Sequence, residues 1–516
     1  MDQQTPAIEL KKLTKVFGSV IANQDIDLTV YRGEIMALLG ENGSGKTTLM
    51  NMLSGLYMPD GGEIYIDGER AHILSPHDAI ALGIGMIHQH FKLVDVLSVQ
   101  ENIVLGTPGE RKSPKQLTAE IEALCERFGL KIDPRRKIYS LSVGEKQTVE
   151  ILKVLYRGAR TLVLDEPTAV LTPQEIAKLF DILRRMRREG CAVIIITHKL
   201  HEVLEISDRV TILRKGRCIG TVITSECTAR DLTERMVGQS IDLSIHRPEP
   251  LSSEPMLDVH HLSVVNSEGV KALDDVSFFI AAGEILGVAG VAGSGQKELC
   301  EAIAGLQPIS AGAILCQHVD LAGLSPRDII KKGISMSFIP EDRLGMGLVG
   351  SMGMVGNMLL KNYESTGRGP FLNREPAKKL ADKLVNQLSI VTPNVNTPVR
   401  KLSGGNVQKV LLGREIASTP RILITAYPVR GLDINSSMTI YRLLNEQKQS
   451  GVAVMFIGED LDVLLELCDR IMVLCGGRVT GIVDPHEVTK EQVGLMMTGT
   501  SMREALRHQD PEEELA

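Results

Sequence analysis

The run Gly40-Glu41-Asn42-Gly43-Ser44-Gly45-Lys46-Thr47 sets a lysine and a hydroxyl directly behind a glycine-rich turn. Such a turn lets backbone N–H groups curl around phosphate oxygens, and a helix opening at its end adds its positive dipole end at the same place. Lys46 has the length to reach terminal phosphates, and the Thr47 hydroxyl suits the shell of a Mg2+ ion. Further along, Leu162-Val163-Leu164-Asp165-Glu166 is an apolar run that closes on two carboxylates. Successive strand residues point to opposite faces, so the two acids need not share a task. Asp165 suits the metal, and Glu166 suits polarising an attacking water. His198 follows a third apolar run, Ala192–Ile196. A lone histidine at a strand end is more often structural, and its interest here comes from the groups it accompanies.

These groups need a scaffold that brings strand ends together. The segments IMALLG, LVLDE and AVIIITH read as buried strands, and KTTLMNMLSGL reads as a helix stopped by Gly55. Strands alternating with helices predict an α/β domain with a mainly parallel sheet. The pattern occurs twice. YRGEIMALLGENGSGKTTLMNMLSGL from Tyr31 matches AAGEILGVAGVAGSGQKELCEAIAGL from Ala281, a displacement of 250 residues. SDRVTILRKGR from Ser207 matches CDRIMVLCGGR from Cys468, a displacement of 261, so the second copy carries about 11 extra residues in between. The expected division is a first domain over 7–240, a Pro- and Ser-rich linker over 241–256, a second domain over 257–500 and a charged tail over 501–516.

Composition narrows the function. Of 516 residues, 43% are apolar and 23% charged, a globular balance. Net charge is −7, aromatics amount to 3% and there is no Trp, which argues against a nucleic-acid partner. None of the eight cysteines forms a C-x-x-C pair, so buried free thiols are expected. No run approaches the ~18 apolar residues that span a bilayer, and the N-terminal MDQQTPAIELKKL lacks an apolar core for a signal peptide. A protein of this composition that works at a membrane is held there by a partner.

The phosphate loop, Gln89 in GMIHQHF, LSVGEKQ from Leu141, LVLDEP and the final TH stand in the order seen in ATP-binding-cassette proteins, and LSGGNVQK from Leu402 resembles that family's signature loop. The resemblance covers nearly the whole chain. It implies two tandem cassettes, each a P-loop NTPase core with a helical subdomain, paired head to tail about a pseudo-two-fold axis. It also implies roles for residues. Phe17 would stack on adenine, and Gly40, Glu41, Asn42, Gly43, Ser44, Gly45, Lys46, Thr47 and Thr48 would hold the ATP phosphates. Thr47, Gln89 and Asp165 would ligate Mg2+, with Gln89 also sensing the membrane subunit. His198 would contact the γ-phosphate beside Glu166.

The two copies differ in these groups. On the repeat, Lys46 and Thr47 fall on Gln296 and Lys297, Asp165 and Glu166 on Ala426 and Tyr427, and His198 on Glu459; Gln89 falls near Glu341. Nothing aromatic clearly matches Phe17. The signature loops are reversed: Leu402-Ser403-Gly404-Gly405-Asn406 keeps the family pattern, whereas Val143 and Glu145 depart from it. Valine at 143 is expected to deny the loop a glycine-like backbone, Glu145 to add unfavourable charge, and Glu459 to repel phosphate. Asp433 in RGLD faces Thr172 in AVLT. In the family each ATP lies between one domain's P-loop and the other's signature loop. The resemblance therefore implies one intact composite site, with Leu402, Ser403, Gly404, Gly405, Asn406 and Asp433 completing the first P-loop, and one degenerate site.

Fused cassettes with a degenerate second P-loop resemble the ATPases of nucleoside and monosaccharide importers. IHQHF, GVAGSGQKEL, the missing second acid pair and ITAYPVRGLD favour the nucleoside branch, with a ribose- or galactose-like sugar as the alternative. The resemblance implies peripheral attachment at the cytoplasmic face of the membrane. It implies two transmembrane permease subunits, expected to differ because the segments between Gln89 and Leu141 and between Glu341 and Leu402 differ in length. A solute-binding lipoprotein or periplasmic protein would be an indirect partner. A tandem cassette outside transport usually keeps both sites and a long charged linker, and intact Glu166 and His198 argue against a regulator without turnover.

Overall fold

The computed structural model describes residues 5–18, 20–88, 91–107, 112–169, 171–197, 199–238, 244–250, 252–266, 268–368 and 371–507, with the side chains of 362–368 and 371 outside the description. Gln89 and His198 lie outside the described residues, as do parts of the 241–256 segment and the tail beyond 507. The chain divides into two units, Met1–Leu243 and Ser244–Ala516.

In the first unit the central sheet runs in the order Arg217–Ile223, Arg209–Arg214, Ile35–Leu39, Ala192–Ile196, Thr161–Asp165, Ile84–Ile87. All neighbours are parallel except the hairpin between Arg209–Arg214 and Arg217–Ile223. Its inner strands are apolar throughout because both faces are covered. One face meets a four-stranded antiparallel sheet built on Pro6–Phe17 and Val20–Tyr31, through Ile8, Leu10, Ile26, Leu38 and Leu49. The other meets the helical layer through Val99, Ile121, Phe128, Leu152, Leu164 and Phe180.

The helix Pro114–Phe128 illustrates local control. Ser113 and Gln116 form a reciprocal cap at its start, with Pro114 as first residue, and Gly129 ends it at φ +70°.

The second unit repeats the plan. Its central sheet runs Met336–Ile339, Ile422–Ala426, Ala453–Ile457, Ile285–Ala289, Arg470–Cys475, Arg478–Val483, the same order of counterpart strands. Its helical layer holds Met354–Thr366, Glu375–Gln387 and Gly404–Ala417, and a short pairing of Gly367–Arg368 with Phe371–Leu372. The described residues of 244–250 are pinned to this unit: Arg247 donates to the Leu465 and Cys468 carbonyls at 3.2 and 2.6 Å, and Asn445 donates to the His246 carbonyl at 2.9 Å. No helix among the described residues is long and apolar enough to cross a membrane.

Candidate functional site

The first phosphate loop leaves the C-terminal end of the buried central strand Ile35–Leu39, the edge at which open parallel sheets receive ligands. Gly43 and Gly45 hold φ of +79° and +99°, and a Cβ on Gly45 would stand 2.4 Å from the Ala22 carbonyl oxygen. Glycine at 45 is thus a steric requirement. Lys46 opens the helix Lys46–Leu53 and is 6% exposed. Its Nζ donates to the Gly40 and Glu41 carbonyls at 2.7 and 2.9 Å, so the ammonium lies folded over the loop. Burial pushes its pKa down, opposed by the charges of Glu166, Asp165 and Glu41. The Ser44 hydroxyl is buried and has no hydrogen-bond partner among the described residues, so it suits a bond to a phosphate oxygen. Asn42 is exposed, and Thr48 sits half-buried in the helix's first turn.

Asp165 ends the strand Thr161–Asp165. Its carboxyl is pushed up to about 6, first by burial and then by the Glu166 charge, against the pull of Lys46 and a hydrogen bond with the Thr47 side chain. Thr47 and Asp165 are thus adjacent oxygen donors, and Lys46 does not offset the burial and the Glu166 charge that disfavour the ionised carboxylate. That donor set fits a hard divalent cation such as Mg2+. Glu166 has φ +46° and donates its N–H to the Ile196 carbonyl at 2.9 Å. The strand ends at Asp165, and the chain turns left-handed at Glu166. Phe17 is 42% exposed, edge-on to Tyr57 at 5.3 Å, with Lys15 Nζ 5.4 Å from its ring centroid.

Two buried acids that the sequence did not single out hold this site's loops. Glu202, 1% exposed, accepts from Thr168 at 2.7 Å and from Thr197 at 3.2 Å, so it joins the turn after Glu166 to the residue before His198. Glu150, on the helix Val143–Tyr156, accepts the Lys92 N–H at 2.5 Å just beyond the Gln89 segment. Their signal was a carboxylate at a core-facing helix position, which periodicity alone reads as interior.

The signature turns differ in a way not foreseen. Neither Val143 nor Gly404 has positive φ; each is the first residue of a regular helix, so valine is not excluded there by backbone conformation. What separates the turns is capping. Ser142 Oγ accepts from the Glu145 N–H at 3.2 Å, and Glu145 accepts from the Ser142 N–H at 2.8 Å and pairs with Arg136 at 2.5 Å. The Glu145 charge is therefore absorbed inside its own unit, and that helix end is closed. In the second unit Ser403 makes no side-chain cap among the described residues; its Oγ accepts from Asn406 Nδ2 at 2.8 Å. The first N–H groups of Gly404–Ala417 have no side-chain cap, and Ser403 and Gly404 are exposed while Gly405 and Asn406 are half-buried, so this helix end can take an anion. Leu402 is half-buried behind them. Gly405 packs on the turn of Asp433, which accepts from Ser436 N–H and Oγ at 2.9 and 2.7 Å.

The second phosphate loop keeps its shape without its chemistry. Gly295 has φ +103°, and Gln296 Nε2 donates to the Val291 carbonyl at 3.1 Å, standing in for the Lys46 contact with Glu41. Lys297 points along the helix surface, 3.9 Å from Glu301. Ala426 is buried, and Tyr427 retains the left-handed turn at φ +49°, donating its N–H to the Ile457 carbonyl at 2.9 Å. Burial and the charges of Glu341 and Glu459 push its phenol up to about 12. The ladders align the strands Ile84–Ile87 and Met336–Ile339, since Ile84 pairs with Thr161 and Met336 with Ile422; counted on in sequence from that alignment, Glu341 corresponds to Gln89, which lies outside the described residues. The strand pairing also sets Asn266 at the position of Phe17. The Glu459 charge is answered by Arg430 at 3.5 Å.

Two phosphate-loop α/β units, each with a helical layer that opens on an LSxG turn, define a tandem ATP-binding-cassette ATPase. The ABC transporter family matches residues 23–169 and 273–428, and the chain belongs to it, with ATP as its substrate. The chain is 42% identical over 503 residues to the guanosine import ATP-binding protein NupO of Bacillus subtilis, covering 96% of this chain and 98% of that one. It is 41% identical over 530 residues to the glucose import ATP-binding protein TsgD13 of Haloferax volcanii, covering 96% of each. Among solved structures, the archaeal ribosome recycling factor aABCE1 matches with TM-score 0.58 and 18% identity over 91% of this chain and 89% of that chain, a likeness of fold alone.

Proposed function

We propose that this ATPase energises import of a nucleoside through separate membrane permease subunits, by turnover at one composite site. The first P-loop, Gln89, Asp165, Glu166 and His198 bind and activate; Ser403, Gly405 and Asp433 complete the site from the second cassette. The working division is 7–240 and 257–500 for the cassettes, with 241–256 between them and 501–516 as a tail. The observation that carries the reading is the sorting of the two helix ends: the signature helix of the second unit is left open, and that of the first is closed by Ser142, Glu145 and Arg136.

Thr47, Gln89 and Asp165 would hold Mg2+, which supplies positive charge to the triphosphate when bound. The chain's own residues orient the rest. The loop amides and Lys46 hold phosphate oxygens, Glu166 takes a proton from the attacking water, and His198 steadies the terminal phosphate. Nucleoside is favoured over sugar by the second phosphate loop and the lost acid pair, and relatives named for nucleoside import support it. Relatives named for glucose and ribose import keep sugar as the second reading. Uptake of labelled guanosine, ribose and glucose in cells lacking the chain, complemented by wild type or by Glu166→Gln, tests it. Nucleoside uptake restored by wild type alone is the expected result; restoration of sugar uptake only would reverse the assignment.

A further inference from the structure

In the second unit, the positions that carry catalytic groups in the first hold Glu341, Tyr427 and Glu459, and one guanidinium joins them. Arg430 is ion-paired with Glu341, lies 3.5 Å from a Glu459 carboxylate oxygen and stands 5.9 Å from the Tyr427 ring centroid. Its backbone carbonyl accepts a hydrogen bond from Arg343. Arg343 Nη1 in turn reaches to 3.4 Å from where a Cβ on Gly404 would stand. Three residues after Arg430, Asp433 caps the helix Ile434–Gln449 and holds Ser436. A Cβ on Gly405 would lie 3.0 Å from Ser436 Oγ and 3.4 Å from Asp433 Oδ2. The signature turn therefore rests on the segment Arg430–Ser436, and that segment is anchored at its start by Arg430. The counterpart of Arg430 on the repeat is Ala169, whose methyl group can make no such connection.

Two carboxylates facing one space repel unless a cation lies between them. Each pair here is too exposed to add much stability. What the arrangement fixes is position, since one planar guanidinium with several donors reaches both acids and the aromatic ring at once.

We infer that Arg430 is a positioning residue for ATP hydrolysis: the ion-paired cluster that replaces catalytic groups in the second cassette sets the signature turn Ser403–Gly405 and Asp433 in place without needing nucleotide at the second phosphate loop. This rests on the reading that the signature turn serves ATP bound by the first P-loop. A working cassette would set these loops through bound nucleotide; the second cassette sets them with its own side chains.

The test is steady-state ATPase kinetics of the full chain with Arg430→Gln, Arg430→Lys, the double variant Glu341→Gln/Glu459→Gln, and Ser403→Arg as reference, with amide exchange followed over residues 402–410. The expected result for Arg430→Gln is a KM for ATP raised about fivefold or more and a kcat lowered about tenfold, with faster exchange at 403–407 and an unchanged thermal midpoint. Arg430→Lys keeps the charge but not the planar fork, so it should fall between wild type and Arg430→Gln, and the double variant should reproduce the KM shift. If Ser403→Arg abolishes turnover while Arg430→Gln and the double variant keep KM and kcat within about twofold of wild type, the positioning role is wrong. Equal losses in Arg430→Lys and Arg430→Gln would also overturn it. If Ser403→Arg leaves turnover intact, it is the underlying cross-cassette reading that fails.

Discussion

Asp165, the proposed Mg2+ ligand, shows how a functional carboxylate works against the fold that holds it. Its carboxyl rises from 3.8 to about 6 because burial and Glu166 disfavour its charge. A folded-state pKa above the unfolded value means the ionised group destabilises the native state above that pKa, and the cost vanishes below the unfolded pKa. Asp165→Asn should therefore stabilise the metal-free protein at pH 7.5, by about 1–3 kcal/mol in chemical denaturation. The gain should fade as pH falls through 6 and be absent below 3.8, while the variant loses hydrolysis. Glu166→Gln should retain ATP and lose on the order of 10²–10⁴ in turnover, measured by phosphate release against equilibrium ATP binding. At this scale the first P-loop and both acids were legible as residue types at fixed spacing, because the backbone geometry that cradles phosphate permits few sequences. Glu150, Glu202 and Arg430 were not legible. Each has a partner far along the chain, 58, 34 and 89 residues away, and nothing in a local pattern marks a carboxylate or guanidinium as a strut between such segments.

At the scale of elements, the two signature helices separate a closed end from an open one. Ser142 and Glu145 close theirs reciprocally, whereas Ser403 leaves its helix uncapped by side chain. Removing a serine cap costs about 1 kcal/mol. Ser142→Ala should lower the denaturation midpoint of the protein and leave ATP turnover unchanged; Ser403→Ala should do the reverse. Urea melts and ATPase rates on the same preparations check both. The strand order and the helical layer were legible from the apolar runs and the repeat. The reason given to Val143 from sequence was not sound: a glycine in a motif suggests a special backbone angle, but here the position is ordinary helix. The charge expected from Glu145 and Glu459 was likewise visible in sequence, while the arginines that absorb it, Arg136 and Arg430, were identifiable only once the chain was folded.

For the molecule as a whole, one chain carries two cassettes of the same topology, and only the first has Lys46, Thr47, Asp165 and Glu166 at the phosphate loop and strand end. Restoring Ala426→Asp and Tyr427→Glu should not double turnover, because Gln296 and the closed Ser142–Glu145 end remain. The Glu166→Gln chain should trap a single ATP after removal of free nucleotide, counted by filter binding; two per chain would argue for symmetric sites. The central claim is that the signature turn of the second cassette, and not that of the first, serves the hydrolytic P-loop. Its most direct test compares ATP hydrolysis by Ser403→Arg and Val143→Arg, with Lys46→Ala as the reference for complete loss. The account predicts that Ser403→Arg falls to the Lys46→Ala level while Val143→Arg stays near wild type. Loss of hydrolysis in Val143→Arg with Ser403→Arg still active would contradict it.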